Sequence, residues 1–361
     1  MCSLRAVVLG VAILGLAAEA QAAKPRFLMR AKVQGQRLEG QPLGVDDGNV
    51  QFLTRDGQLH TFRASAAKDY EQLSGNFESY SPSEMRALLE AEFGPKFNVT
   101  GTGHYLVVHP AGERDQWAGR FEELYRSFQH YFNVRGVRLE NPQFPLVAVV
   151  LPTQEDFIRQ AAREGVNVGT SVLGYYSPFT NRIMLFDITR GRPNSKDWRH
   201  NAETIIHEAT HQTAFNTGIH SRFGGTPKWV VEGLGTLFEA PGVSDSRRSA
   251  QQADRINRDR LEQFRKYASG RRRPGSAAEL IASDQMFQTD VDAAYAESWA
   301  LTFFLVETEP RKYAQYLQKT AKRAPFTDYT RAERLADFTS VYGRDLKMLE
   351  ARFLRFMQEV D

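Results

Sequence analysis

One cysteine among 361 residues, Cys2, is the whole thiol inventory of this chain. No internal disulfide can form, so the fold has to be held by burial of a core. Charge of a single sign is missing too: 46 basic side chains stand against 43 acidic ones, a formal net charge of +3. So even a balance carries no electrostatic footprint for DNA or RNA, and no nucleic-acid partner is expected. Internal repeats are absent, and so is any apolar run of the about twenty residues that a membrane span takes. The run Ala6 to Ala18 follows Arg5 and precedes the small residues Ala20 and Ala22, the layout of an export leader with an A-x-A site before Ala23. Cleavage there removes residues 1–22, Cys2 included, and leaves a secreted, periplasmic or cell-envelope chain with no membrane span and no thiol. An uncleaved anchor is the competing reading. Because Cys2 lies ahead of the apolar run, a lipid anchor is disfavoured.

What is present describes a globular protein: 42% hydrophobic and 25% charged residues, enough for one large core or two unequal ones. From Phe27 to about Phe62, short alternating runs are punctuated by the hairpin markers Asp47-Gly48 and Asp56-Gly57. This predicts a small all-β, barrel-like module over 23–75, read as a packing or spacer unit without a ligand. Asn76 to Pro82 is a polar linker, with Ser81 placed to cap the helix that Pro82 opens. A second, α+β domain is predicted over 82–361.

Its first part, 82–200, alternates like a hairpin at Phe97 to His109 and like a helix at Glu113 to Phe132. The continuous apolar run Leu146 to Leu151 fits a strand covered on both faces, and Thr153 is placed to cap a helix through Arg163. Leu173 to Asp187 reads as two strands joined by a turn at Ser177 to Asn181. Residues 201–240 hold two helices, Asn201 to Asn216 and Pro227 to Glu239. A basic insertion follows over 241–275, with Arg247-Arg248 and Arg271-Arg272-Arg273, and then a helical lobe over 276–361. The insertion reads as solvated surface, with a seat for an acidic envelope polymer or lipid headgroup as the other reading.

The chemistry sits in the two helices. His207, Glu208 and His211 have the spacing H-E-x-x-H, and a helical turn of about 3.6 residues puts the two imidazoles on one face, one above the other. Glu232, in Trp229-Val230-Val231-Glu232-Gly233 on the next helix, is placed to add a carboxylate oxygen. Two imidazoles and a carboxylate make the ligand set of one Zn2+ per chain, with the fourth position open to water.

These residues resemble the gluzincin clan of zinc peptidases. In that clan the third ligand is a Glu roughly twenty residues past the second histidine, often in a W-x-x-E-G-x-A context; here the text is W-V-V-E-G-L-G. Within the clan, HEATHQ and PKWVVEGLGTLFE are most similar to a domain-of-unknown-function family of secreted bacterial proteins with a peptidase-like fold. The resemblance implies a zincin-like domain, with a mixed sheet whose edge strand runs over the metal helix. Arg182, Ile183, Met184 and Leu185 are the candidates for that substrate-holding edge, with an ordinary hairpin as the other reading. It also implies an oxyanion donor from a later helix, Tyr295, with His220 as competitor; plain core packing for the first and a solvated loop position for the second are the simpler accounts. Thermolysin, a member of the clan, carries an Asp four residues after its ligand Glu to orient a histidine, where this chain has Thr236; Glu203, Thr236 and Glu239 are the candidates for that support.

The mechanism expected is hydrolysis of a peptide bond in a peptide or protein substrate. Glu208 lies about 100° around the helix from His207, so it can take a proton from the metal's water without ligating the metal, then pass it to the leaving amine. The alternative is a catalytically silent zincin fold serving binding or assembly in the envelope.

Overall fold

The structure is a computed structural model that describes residues 27–112, 117–189, 198–245 and 251–361. The leader expected over 1–22, the Arg247-Arg248 pair and most of the loop before Trp198 lie outside the described residues. The chain divides into two compact units between Ser81 and Pro82. Among the described residues no helix is long and apolar enough to cross a membrane.

The first unit is a five-stranded antiparallel sheet: β1 (Phe27–Val33), β2 (Gln36–Asp46), β3 (Asn49–Thr54), β4 (Leu59–Arg63) and β5 (Ala67–Asn76), in the order β4-β3-β2-β1-β5. Asp47-Gly48, with φ of 45° and 77°, makes the tight turn that its sequence predicts. Gln34-Gly35, with φ of 49° and 87°, makes an equivalent turn with no Asn or Asp to announce it. The β2–β3 ladder slips between Pro42 and Gly44, and such a bulge bends the strand. A small core of Ala31, Val33, Leu38 and Phe52 fills one face. β4 and β5 end the hydrogen-bonded order, and among the described residues no ladder joins them into a closed barrel.

The second unit opens with α1 (Pro82–Phe93) and is built on a mixed sheet of β6 (Phe97–Gly101), β7 (Tyr105–Pro110), β8 (Leu146–Leu151), β9 (Gly174–Ser177) and β10 (Arg182–Phe186), in the order β6-β7-β8-β10-β9. The central ladders, β7–β8 and β8–β10, are parallel and the outer two antiparallel. Parallel neighbours need crossovers, which α2 (Ala118–Asn133) and α3 (Gln154–Arg163) supply. The apolar run of β8 is buried throughout, as a strand sandwiched between layers requires. Thr153 caps α3 by accepting the Asp156 N–H.

α4 (Trp198–Asn216) and α5 (Lys228–Phe238) follow, then the short α6 (Pro241–Ser244). Buried Gln212 on α4 donates to Val147 O of β8 at 3.0 Å and to Asn181 O at 2.8 Å, a polar dock that fixes how the helix sits on the sheet. The helical lobe comprises α7 (Arg258–Gly270), α8 (Ser276–Ala282), α9 (Met286–Thr289), α10 (Val291–Thr308), α11 (Pro310–Ala321), α12 (Arg331–Tyr342) and α13 (Leu346–Glu359). α10 is buried on nearly all sides because the other helices pack around it.

The basic insertion is solvated along the charged face of α7 and at Arg271 and Arg273, but its apolar face belongs to this lobe. Leu261, Phe264 and Tyr267 of α7 are buried in the main core. The Arg272 guanidinium is buried between Glu297 at 2.7 Å and Glu350 at 2.6 Å. A cation so desolvated needs carboxylates, and here it has them, so it is not available to an external polymer.

Candidate metal centre

α4 and α5 return on each other through the turn that begins at Gly218, whose φ of +82° ends the first helix, and Pro227 starts the second. Their approach depends on small residues. A Cβ at Gly233 would collide with Thr302 Oγ1 and lie 2.8 Å from Ser298 O, so glycine there lets α5 press against α10. A Cβ at Gly235 would lie 2.8 Å from His211 Cε1 and 2.9 Å from His207 Cε1. The imidazoles therefore rest directly on the α5 backbone, closer than the Ala of the W-x-x-E-G-x-A pattern would allow without their withdrawing by several tenths of an ångström.

His207 Nε2 and His211 Nε2 are 3.0 Å apart. Glu232 Oε2 stands 3.4 Å from the first and 3.5 Å from the second. Ligand atoms at about 2.0–2.1 Å from a tetrahedral ion lie about 3.3–3.4 Å from one another, so this triangle has the size of one face of such a tetrahedron. These three are the cluster of His, Cys, Asp or Glu side chains able to hold a metal among the described residues.

The donor chemistry fits a cation. His207 Nδ1 lies 2.8 Å from Glu239 Oε1, and since a carboxylate only accepts, Nδ1 carries the proton and the neutral ring turns a lone pair inward at Nε2. Glu232 Oε2 is buried with no hydrogen-bond donor. Two buried acceptors, His207 Nε2 and Glu232 Oε2, thus face one another across the triangle and call for a positive charge between them. Without a metal that charge is a proton: burial works against it, but Glu232 and Glu239 outweigh burial and hold the His207 pKa well above its ordinary value. Burial likewise opposes the Glu232 charge, and the two imidazoles overcome it and keep that carboxyl well below the usual range. A divalent ion would displace the proton.

Glu208 is buried beside the triangle, and its Oε2 accepts the Tyr176 backbone N–H at 2.7 Å. A cavity of about 410 Å³ opens here, lined by Leu173, Gly174, His207, Glu208, Asn257 and Tyr295 among others. Burial, then the charges of Glu232 and Glu208, raise the Tyr295 pKa well above the ordinary phenol value. The hydroxyl therefore keeps its proton.

Several sequence expectations change. Arg182, Ile183, Met184 and Leu185 are not an edge: β10 lies between β8 and β9, and every one of these residues is buried. The edge on the metal side is β9, whose Gly174 comes so near α4 that a Cβ would be 2.8 Å from Thr204 Cγ2. His220 is not a solvated loop residue. It is buried against Phe215 with ring centroids 5.1 Å apart, and burial together with the nearby His211 pushes its pKa down to about 3. It does not line the cavity. Among the supporting candidates, Glu239 meets His207, Glu203 lines the cavity, and Thr236 spends its hydroxyl on Glu232 O and Gly233 O within its own helix. Two participants escaped the sequence reading: the Tyr176 N–H, which as backbone has no sequence signal, and Asn257, whose only signal is that of a helix cap.

A family described as protein of unknown function (DUF1570) matches residues 201–327, from α4 to the loop before α12. No curated protein matches the chain. Among solved structures it is similar to the M1 zinc metallopeptidase of Deinococcus radiodurans: 13% identity and a TM-score of 0.38, over 72% of this chain and 50% of that one. A point mutant of that enzyme aligns at 13% identity and a TM-score of 0.39, over 73% of this chain and 51% of that one. The mutant bound to a Tyr-Ser-Ala substrate aligns at 14% and 0.39, over 72% and 50%. The chain thus spans about half the length of the structures it matches.

Proposed function

We propose that this chain is an exported zinc-dependent peptidase that hydrolyses peptide bonds. The observation that carries the reading is the triangle of His207 Nε2, His211 Nε2 and Glu232 Oε2, with edges of 3.0, 3.4 and 3.5 Å, beside the Glu208 carboxylate and an open cavity. Two nitrogens and one oxygen at tetrahedral spacing suit zinc, with a coordination position left for solvent. When bound, zinc supplies a Lewis acid that lowers the pKa of a coordinated water from about 16 towards about 7 and polarises a carbonyl.

The remaining work belongs to the protein. Glu208, anchored through Oε2 by the Tyr176 N–H, presents Oε1 to take the water's proton and return it to the leaving amine. Tyr295, which stays protonated, donates to the oxygen on which charge develops. An extended substrate lies along β9. Because the Tyr176 N–H points away from β10 to Glu208, the two-residue period of a strand turns the backbone groups of Gly174 to the same free rim.

The test is purified protein assayed on unfolded casein. One zinc per chain and chelator-sensitive cleavage, lost in Glu208→Gln, support the peptidase. Bound zinc with no turnover on a broad peptide library overturns it in favour of a silent fold used for binding or assembly.

A further inference from the structure

Asn257 caps α7, and its Oδ1 accepts the Arg260 N–H at 3.2 Å as a cap should. The residue is buried, and its amide nitrogen bonds elsewhere, with Nδ2 donating to Glu239 Oε2 at 2.7 Å and to Thr236 O at 3.0 Å. Both amide hydrogens are thereby used on the end of α5. The other oxygen of the same carboxylate, Glu239 Oε1, is the one that meets His207 Nδ1 at 2.8 Å. A continuous line of hydrogen bonds therefore runs from the first turn of α7, through the last turn of α5, to an imidazole on α4.

We infer that Asn257 is a positioning residue of the metal centre that acts through Glu239; the inference rests on the reading of His207 as a ligand. The terminal torsion of a glutamate is broad, so a carboxylate held at one oxygen can swing. Pinning Oε2 leaves Oε1 aimed at Nδ1, which fixes the rotation of the His207 ring and points its Nε2 lone pair at the triangle. A hydrogen-bonded carboxylate also makes the opposite nitrogen a better ligand, so ring orientation and ligand strength both pass through this amide. Packing of Leu261, Phe264 and Tyr267 into the core holds α7, and with it the cap residue, over the end of α5.

The experiment is a double-mutant cycle on the full chain, with the zinc dissociation constant measured by chelator competition for wild type, Asn257→Ala, Glu239→Ala and the double variant. Melting of the metal-free proteins monitors the fold. Asn257→Ala is expected to weaken zinc about 10-fold. In the Glu239→Ala background the same change is expected to cost less than about 2-fold, because its route to the metal is already gone. Asn257→Asp keeps a cap acceptor but cannot donate to Glu239, and is expected to lose at least as much affinity as Asn257→Ala. Wild-type affinity in Asn257→Ala or Asn257→Asp, or equal losses in both backgrounds, would overturn the inference and leave the metal reading standing. A wild type that binds no zinc would overturn both.

Discussion

Glu232→Ala removes one corner of the ligand triangle and leaves the two imidazoles in place, so it isolates what the second helix contributes. Free zinc at about a thousand times the wild-type dissociation constant adds about 4.1 kcal/mol to the folded state. Residues that merely support a ligand cost up to about 100-fold in affinity when removed, so loss of the ligand oxygen itself should cost at least that. At the same free zinc the variant then keeps at most about 1.4 kcal/mol. Each kcal/mol moves the melting midpoint by about 2–4 °C in a domain of 150–250 residues, and the unit over 82–361 is larger, which favours the low end. Calorimetry with chelator and with zinc should therefore show a zinc shift of about 8 °C in wild type and no more than about 3 °C in Glu232→Ala. Each protein is compared with its own metal-free state, because deleting Glu232 also removes a carboxylate that holds His207 protonated when metal is absent. A variant that retains one zinc per chain and the full shift would refute the argument that these atoms form one site.

Glu208→Gln keeps an acceptor for the Tyr176 N–H but has no basic oxygen, so turnover should fall about 10²–10⁴-fold with zinc content unchanged. Loss of zinc in this variant would instead make Glu208 a ligand. Tyr295→Phe should lower kcat about 10²–10³-fold at unaltered zinc affinity; full activity would remove Tyr295 from the mechanism. His220 has a folded pKa of about 3 against an ordinary 6.5, so the unfolded chain binds the proton first. It costs nothing above pH 6.5, and as pH falls towards 3 it destabilises the fold by up to about 1.4 kcal/mol per pH unit. Urea unfolding of chelated protein between pH 7 and 4.5 should show a shallower loss in His220→Gln than in wild type, and coincident slopes would contradict the burial argument.

What was legible in the sequence was local. H-E-x-x-H puts two imidazoles on one helical face whatever surrounds it, Thr153 caps its helix through a residue three positions on, and Asp47-Gly48 makes its turn from the φ preferences of two neighbours. Even Glu232 was within reach, because a short turn returns one helix onto the next.

Strand order was not. Gly174 to Phe186 reads as the same hairpin whichever strand continues the sheet, and only parallel pairing of Arg182–Phe186 with Val147–Leu151 made β10 interior and β9 the rim. Burial of His220, the pairing of Arg272 with Glu297 and Glu350, the choice of Glu239 over Glu203 and Thr236, and the reach of Asn257 were settled in the same way. Periodicity, caps and turns draw their energy from atoms within a few residues along the chain. The partner of a strand edge or a buried polar group comes from a distant segment, and it exists only once the layers have packed.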